Sequence, residues 1–246
     1  MDKQAIRKRV WDRLEADGIA RFPFPPHDRI PNFAGAEAAA ARLADLDAWR
    51  AARTVKANPD SPQLPVRRAA LRAGKTVYMA VPRLREADCF YELDPAVVSD
   101  IEAAPAVSNV ADHARQVGPE AVDELDLVVS GSVGVTEAGA RIGKGEGYSD
   151  LEYAVLRELD LVGDSTPVVT TVHERQVLDG PESAVPGASV PVAAHDVPMD
   201  YVVTPDRTVE TGTPYPRPDG IDWALLDDDR IDEMPVLATR RPDATD

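Results

Sequence analysis

Hydrophobic positions near the start of the chain recur with the period of an α-helix. The apolar residues spaced four apart are Ile6, Val10 and Leu14. Because this spacing places side chains on one face of a helix, and Gly18 is a common stop signal, residues 2–17 are predicted to form an amphipathic helix. Lys3 and Arg7, also four apart, border its apolar stripe.

Helical patterns recur farther along the chain. Four prolines within residues 21–33 exclude a helix there, because proline lacks the N–H group that a helix interior uses. The segments with a helical pattern are 35–52, 65–73, 95–103, 119–124 and 149–160. These segments are predicted helices.

Short apolar runs alternate with the later helices. They cover residues 76–81, 125–129, 167–172 and 201–204. Continuous apolar runs of this length are typical of strands that are buried on both faces of a parallel sheet. Alternation of strands and helices predicts an α/β fold, a layered α/β/α domain with a mostly parallel sheet.

The composition changes after about Gly212. Residues 213–246 are rich in Pro, Asp and Arg, and they include the acidic run 227–229. We therefore predict one α/β domain over residues 1–212 and an acidic extension over residues 213–246. Low hydrophobicity predicts that this extension is loosely packed or partly disordered.

The net charge of the chain limits the classes of molecule that it is expected to bind. The chain has 27 Lys and Arg against 43 Asp and Glu, a formal net charge of −16. Binding to nucleic acid or to an anionic membrane surface requires a basic face, so neither is expected. Because salt screens repulsion between carboxylates, the acidic excess predicts a protein of high-salt, halophilic conditions.

Other features bear on the cellular compartment. Cys89 is the only cysteine, which excludes an intrachain disulfide and fits a reducing environment. No apolar stretch reaches the ~18 residues of a membrane span, and the first residues lack the apolar core of a signal peptide. We expect a cytoplasmic protein that is a monomer or a weak homo-oligomer.

The most informative segment is Arg-Ile-Gly-Lys-Gly-Glu-Gly-Tyr-Ser-Asp, residues 141–150. Its glycines occupy alternate positions, Gly143, Gly145 and Gly147. Glycines so placed let backbone N–H groups point into one concavity before a helix N-terminus. Arg141 and Lys144 add positive charge, and Asp150 offers a carboxylate for Mg²⁺ beside a polyphosphate. The segment predicts an anion-binding loop, and a glycine-rich turn with solvated charges is the alternative interpretation.

The same ten residues closely resemble the Arg-x-Gly-x-Gly-x-Gly-Tyr-Tyr-Asp motif of the 5-formyltetrahydrofolate cyclo-ligase family, also called methenyltetrahydrofolate synthetase. Lys3 and Arg7 match the family's amino-terminal Lys-x-x-x-Arg, residues 82–83 match its Pro-Arg after a strand, and 195–200 match its late His-Asp-x-x-x-Asp. The resemblance spans about residues 3–211 and is greatest to the divergent branch called methenyltetrahydrofolate synthetase domain-containing proteins.

The resemblance implies a fold shared with sugar-phosphate isomerases and CoA transferases. It also implies ATP-dependent cyclisation of 5-formyltetrahydrofolate to 5,10-methenyltetrahydrofolate, with ATP and Mg²⁺ required. In that family ATP phosphorylates the formyl oxygen, a neighbouring nitrogen attacks the activated carbon, and phosphate leaves.

The family match also implies roles for individual residues. ATP would be held by Lys3, Arg7, Arg141, Gly143, Lys144, Gly145, Glu146, Gly147, Tyr148 and Asp150. Catalytic roles would fall to Arg141 and Lys144, and Asp150 would bind Mg²⁺. The reduced folate would contact Tyr148, Ser149 and Arg83.

Two positions differ from the family pattern. Ser149 stands where the family has a second tyrosine that helps form the folate pocket. Residues 60–63, Asp-Ser-Pro-Gln, replace a Glu-x-x-Thr pattern whose Glu helps to hold the pterin. Two alternatives to the cyclo-ligase therefore remain: a non-catalytic nucleotide- or folate-binding regulatory or interaction protein, and an ATP-dependent ligase of another N-formyl substrate.

Overall fold

A computed structural model describes residues 1–242. The α-helices are α1 (Lys3–Ala16), α2 (Ala36–Leu43), α3 (Asp47–Ala51), α4 (Leu64–Arg72), α5 (Val110–His113), α6 (Tyr148–Glu158), α7 (Asp228–Asp232) and α8 (Pro235–Ala238). The strands are β1 (Ala20–Arg21), β2 (Asn32–Phe33), β3 (Thr54–Ala57), β4 (Thr76–Ala80), β5 (Phe90–Leu93), β6 (Arg115–Val117), β7 (Leu127–Val129), β8 (Gly134–Val135), β9 (Arg141–Ile142), β10 (Val168–Thr171), β11 (Tyr201–Val203) and β12 (Thr208–Glu210).

The described residues form one eight-stranded sheet and two short hairpins. The order in the large sheet is β12-β11-β10-β7-β3-β4-β5-β6. The five strands from β11 to β4 are parallel, and the strands outside them are antiparallel to their neighbours. The predicted α/β fold with a mostly parallel sheet is confirmed.

Side chains alternate between the two faces of the sheet, and each face has its own layer. Val77 and Leu127 belong to a hydrophobic cluster with α2, α3 and α4. Tyr78 and Val128 point to the opposite face, where they join a cluster with α6 and with apolar side chains between residues 221 and 237. Because strand residues alternate in direction, the buried strands contribute apolar residues to both layers.

Helix α1 forms a separate small core with the β8–β9 hairpin. Its buried side chains are Ile6, Val10, Trp11 and Leu14. They cluster with Val133 and Ile142, and Ile142 lies in β9 directly before the glycine-rich segment. Full burial of an apolar side chain of this size contributes about 1.5–3 kcal/mol, so this packing fixes α1 beside that segment.

Some predicted elements differ from the structure. Residues 95–103 form turns, because Asp94 and Asp100 accept hydrogen bonds from backbone N–H groups two residues later, a local alternative to helix. The predicted helix 35–52 divides into α2 and α3 at the extended residue Leu46. Residues 119–124 contain only a 3₁₀ turn, Pro119–Ala121. Strands β3, β5, β6 and β12 of the large sheet, and the four short strands of the two hairpins, were not predicted.

The carboxyl-terminal extension, residues 213–246, packs more closely than its composition predicts. Five of its described residues are buried in the hydrophobic cluster with α6: Ile221, Ile231, Met234, Val236 and Leu237. Arg217 also forms an ion pair with Asp200 at 2.5 Å. The predicted boundary at residue 212 remains a prediction, and residues 243–246 of the extension lie outside the described residues.

Across residues 1–242, every helix is too short or too polar to span a bilayer.

Candidate functional site

A cleft lies at the carboxyl ends of three neighbouring parallel strands. Its walls include residues 58–60 after β3, 80–84 from the end of β4 onward, and Gly131 after β7. The start of α6 forms another wall, and the cleft volume is about 200 Å³. Ligands of open α/β sheets commonly bind at this edge, so the cleft is the candidate functional site.

The glycine loop, residues 143–147, borders the cleft through Lys144, Glu146 and Gly147. Gly145 and Gly147 have φ angles of +112° and +73°, which disfavour other residues. A Cβ atom at Gly145 would lie 3.3 Å from the Arg7 guanidinium. Gly147 is the N-cap of α6 and provides no side-chain hydrogen bond, so an anion could bind the amides of the first turn.

Arg141 and Asp150 lie together under the glycine loop. Their Nη2 and Oδ1 atoms are 2.5 Å apart, and the Arg141 side chain is buried. Arg141 Nη1 also donates to the carbonyl of Gly131 at 2.9 Å. Asp150 Oδ1 accepts a second bond from Val197 N at 3.1 Å. The pair ties the loop, α6 and the end of β7 into one unit.

The other predicted nucleotide contacts are arranged around this unit. Arg7 Nε donates to the carbonyl of Gly143 at 2.7 Å, and burial lowers the pKa of Arg7. Lys144, in the cleft wall, pairs with Glu146 at 2.7 Å. Lys3 does not line the cleft, and its Nζ forms an ion pair with Asp196 at 2.6 Å.

The predicted substrate contacts all line the cleft: Arg83, Tyr148 and Ser149. Arg83 follows β4 in a left-handed conformation with φ +62°. Arg230, from the carboxyl-terminal extension, lies 4.7 Å from the centre of the Tyr148 ring. Its Nη2 atom also donates to the carbonyl of Glu146 at 2.6 Å, so the extension holds the glycine loop from outside.

The donor set fits a magnesium ion that is shared with a phosphate group. Within residues 1–242, there is no cluster of three or more His, Cys, Asp or Glu residues that could hold a metal alone. Asp150 Oδ1 is occupied by Arg141 and Val197, and its second oxygen is the available ligand. Mg²⁺ commonly binds one or two carboxylates together with substrate phosphates, which this arrangement permits.

A polar group beside the cleft was not predicted from the sequence. Lys56 Nζ and Glu152 Oε2 form an ion pair at 3.0 Å, with side-chain exposures of 1% and 3%. Lys56 Nζ also donates to Asn58 Oδ1 at 3.3 Å. The available signal was Lys56 in Thr-Val-Lys-Ala, where a charge interrupts an otherwise strand-like run.

Burial changes the ionisation of this group. It raises the pKa values of Glu152 and Asp60; the charge of Lys56 opposes the shift of Glu152, and the charge of Lys144 is the largest that opposes the shift of Asp60. Burial also lowers the pKa of Arg67 to about 9. Arg67 donates to the carbonyls of Asn58 and Asp60, which fixes the segment that follows β3.

Comparison with known proteins identifies relatives of this chain. The model of the 5-formyltetrahydrofolate cyclo-ligase family matches residues 1–205. The methenyltetrahydrofolate synthase domain-containing protein of Mus musculus is 44% identical over 98% of this chain and 63% of its own length. The Homo sapiens protein of that name is 40% identical over 98% of this chain and 62% of its own. The chain thus spans a little under two thirds of these curated relatives.

A solved structure has the same fold. The 5,10-methenyltetrahydrofolate synthetase of Aquifex aeolicus superimposes with a TM-score of 0.51. The match covers 88% of this chain and 96% of that chain, at 19% sequence identity.

Proposed function

Because the chain belongs to the 5-formyltetrahydrofolate cyclo-ligase family, we propose that it catalyses the ATP-dependent cyclisation of 5-formyltetrahydrofolate to 5,10-methenyltetrahydrofolate. The observation that carries this proposal is the glycine loop at the α6 N-terminus, facing a cleft at the carboxyl edge of the sheet. ATP and the reduced folate are the small-molecule partners, and the protein acts as a cytoplasmic monomer or weak homo-oligomer.

The glycine loop and its neighbours would hold ATP. The first turn of α6 has no side-chain cap, so its amides, together with those of the glycine loop, are suited to phosphate oxygens. Lys144 contributes a positive charge from the cleft wall, and Arg7 supports the loop through the carbonyl of Gly143. Lys3, paired with Asp196, borders the same region.

Arg141 and Asp150 have different tasks within this site. Arg141 orients Asp150, because its Nη2 atom holds Oδ1 and leaves the other carboxylate oxygen available. When bound there, Mg²⁺ neutralises phosphate charge. Arg141 and Lys144 stabilise charge that develops on the phosphate groups, and catalysis depends on this neutralisation together with positioning.

The folate would occupy the cleft beside ATP. Its formyl oxygen takes the phosphoryl group from ATP, its neighbouring nitrogen bonds to the formyl carbon, and phosphate departs as the ring closes. Tyr148, Ser149 and Arg83 line this space and are the proposed folate contacts.

A turnover assay tests the proposal. Wild-type protein in molar KCl with MgATP and 5-formyltetrahydrofolate is expected to form the methenyl product, followed by its absorbance. Asp150→Ala and Lys144→Ala are expected to abolish turnover. The matched controls Asp47→Ala and Lys8→Ala change exposed residues that do not line the cleft, and they are expected to retain turnover.

Ser149 favours a second candidate, a family member with a different ligand or without catalysis. Its hydroxyl hydrogen-bonds with the Asn58 amide at 3.3 Å, so a small polar contact stands at a folate-pocket position. Binding of MgATP without any turnover would support a nucleotide- or folate-binding regulatory protein. Phosphate release with another N-formyl compound would support a ligase of that compound.

A further inference from the structure

The buried ion pair of Lys56 and Glu152 leaves one carboxylate oxygen without a partner. Glu152 Oε2 pairs with Lys56 Nζ at 3.0 Å, whereas Oε1 is buried and accepts no hydrogen bond from any described residue. Glu152 is nevertheless part of the cleft wall. A buried polar atom without a partner destabilises a protein, so this oxygen requires an explanation.

The position of Lys56 explains why only one oxygen is satisfied. Val55 and Ala57 point to the α2–α4 layer, so Lys56 between them points to the face that α6 covers. Its ammonium group is shared between Glu152 Oε2 and Asn58 Oδ1. Lys56 thus holds Glu152 in a fixed orientation and compensates its charge.

Asn58 connects this pair to the rest of the cleft. Its Oδ1 atom accepts from Gly131 N at 3.3 Å, and its Nδ2 atom donates to Ser149 Oγ at 3.3 Å. The Asn58 amide is therefore oriented by groups on three sides. Glu152 Oε1 is the acceptor of this network that has no donor among the described residues.

The cleft wall contains both cationic and anionic groups. Lys144 and the uncapped amides at the start of α6 are suited to anions. The carboxylates of Glu152 and Asp60 lie in the same wall, and both accept hydrogen bonds when ionised. A ligand that carries an N–H donor, bound beside a phosphate-containing partner, complements this combination of groups.

We propose that Glu152 Oε1 accepts a hydrogen bond from an N–H group of the substrate, and that Lys56 is the positioning residue that orients Glu152. This inference rests on the proposed function, where the donor is an N–H group of the reduced pterin ring. The chemical class of the ligand is a planar heterocycle with an N–H donor on its edge.

Equilibrium binding tests the proposal without requiring turnover. The probes are 5-formyltetrahydrofolate, MgATP, and the pair pterin and 1,3-dimethyllumazine, of which only pterin has N–H donors. Glu152→Gln is expected to lower the affinity for 5-formyltetrahydrofolate about tenfold or more, because one hydrogen bond to a charged group contributes that much. MgATP affinity is expected to change less than about twofold.

The heterocycle pair separates ligand recognition from a structural role. Wild type is expected to prefer pterin, and Glu152→Gln is expected to lose that preference. The double variant Lys56→Met/Glu152→Met removes both charges at similar volume and is expected to remain folded, bind MgATP and also lose the preference. Glu37→Gln, an exposed change on α2, is the matched control.

Each result decides one of the two proposals. Unchanged 5-formyltetrahydrofolate affinity and pterin preference in both variants would overturn the role of Glu152 even if the wild type is an active cyclo-ligase. Absence of turnover, with pterin preference present in wild type and lost in the variants, would refute the cyclo-ligase and retain Glu152 as the acceptor. Absence of pterin preference in wild type would overturn the inference.

Discussion

Removal of the Lys56 charge is expected to destabilise the protein more than any exposed charge change. Lys56→Met leaves the Glu152 carboxylate buried without its partner, with only about 1–3% of either side chain exposed in the native pair. Breaking a buried ion pair from one side costs about 3–5 kcal/mol. For a domain of this size, that loss lowers the melting temperature by about 6–20 °C.

The pairing itself is isolated by a double-mutant cycle. Lys56→Met/Glu152→Met has no uncompensated charge, and replacing a buried pair with apolar residues is often neutral. We expect its free energy of unfolding, measured in urea, to lie within about 1 kcal/mol of wild type. The coupling energy between the two positions is then about 3 kcal/mol or more.

A surface pair provides the control for this cycle. Lys8 and Asp12 are 2.5 Å apart with side-chain exposures of 70% and 46%, and such pairs contribute about 0–1 kcal/mol. Lys8→Met should therefore leave the urea midpoint nearly unchanged. The buried-pair argument would be refuted if Lys56→Met lowered the free energy of unfolding as little as Lys8→Met does. It would also be refuted if the double variant were as unstable as Lys56→Met.

Three further predictions concern the extension, a histidine and the acidic surface. Arg230→Ala removes the hydrogen bond to Glu146 and the contact with Tyr148, so ATP affinity should fall about three- to tenfold by nucleotide titration; unchanged affinity would show that the extension does not support the loop. Burial lowers the pKa of His173, whose Nδ1 accepts from Arg175 N. A lowered histidine pKa contributes stability above the unfolded value of about 6.5 that is lost as pH falls, so wild type should lose more stability than His173→Asn between about pH 8 and pH 5.5; equal losses would contradict this. The net charge of −16 predicts a higher urea midpoint in molar KCl than in dilute buffer, and no increase would contradict the halophilic hypothesis.

Local sequence signals were sufficient for the glycine loop and α6. Alternating glycines before a helical pattern predict a turn with positive φ angles. Gly145 and Gly147 have such angles, which confirms the turn. The parallel strands β4, β7, β10 and β11 were likewise evident, because each is a short continuous apolar run. The family resemblance, which the family match confirms, added the amino-terminal helix to the predicted site.

Longer-range features were not accessible in the same way. Lys56 obscured β3, because a lone charge in a short run argues against a buried strand unless its partner is known. That partner, Glu152, lies on α6, and only the fold brings the two residues together. The extension was predicted to pack loosely from its Asp and Pro content, whereas a few apolar residues, Ile231 and Leu237 among them, are enough to anchor it.

The most direct test of the proposed function is the stoichiometry of the reaction. Wild-type protein is incubated in molar KCl with MgATP and 5-formyltetrahydrofolate, and methenyl product and inorganic phosphate are measured together. The account predicts equal amounts of both, with neither formed when ATP or the folate is omitted. Phosphate without methenyl product, or no consumption of either substrate by folded protein, would contradict it.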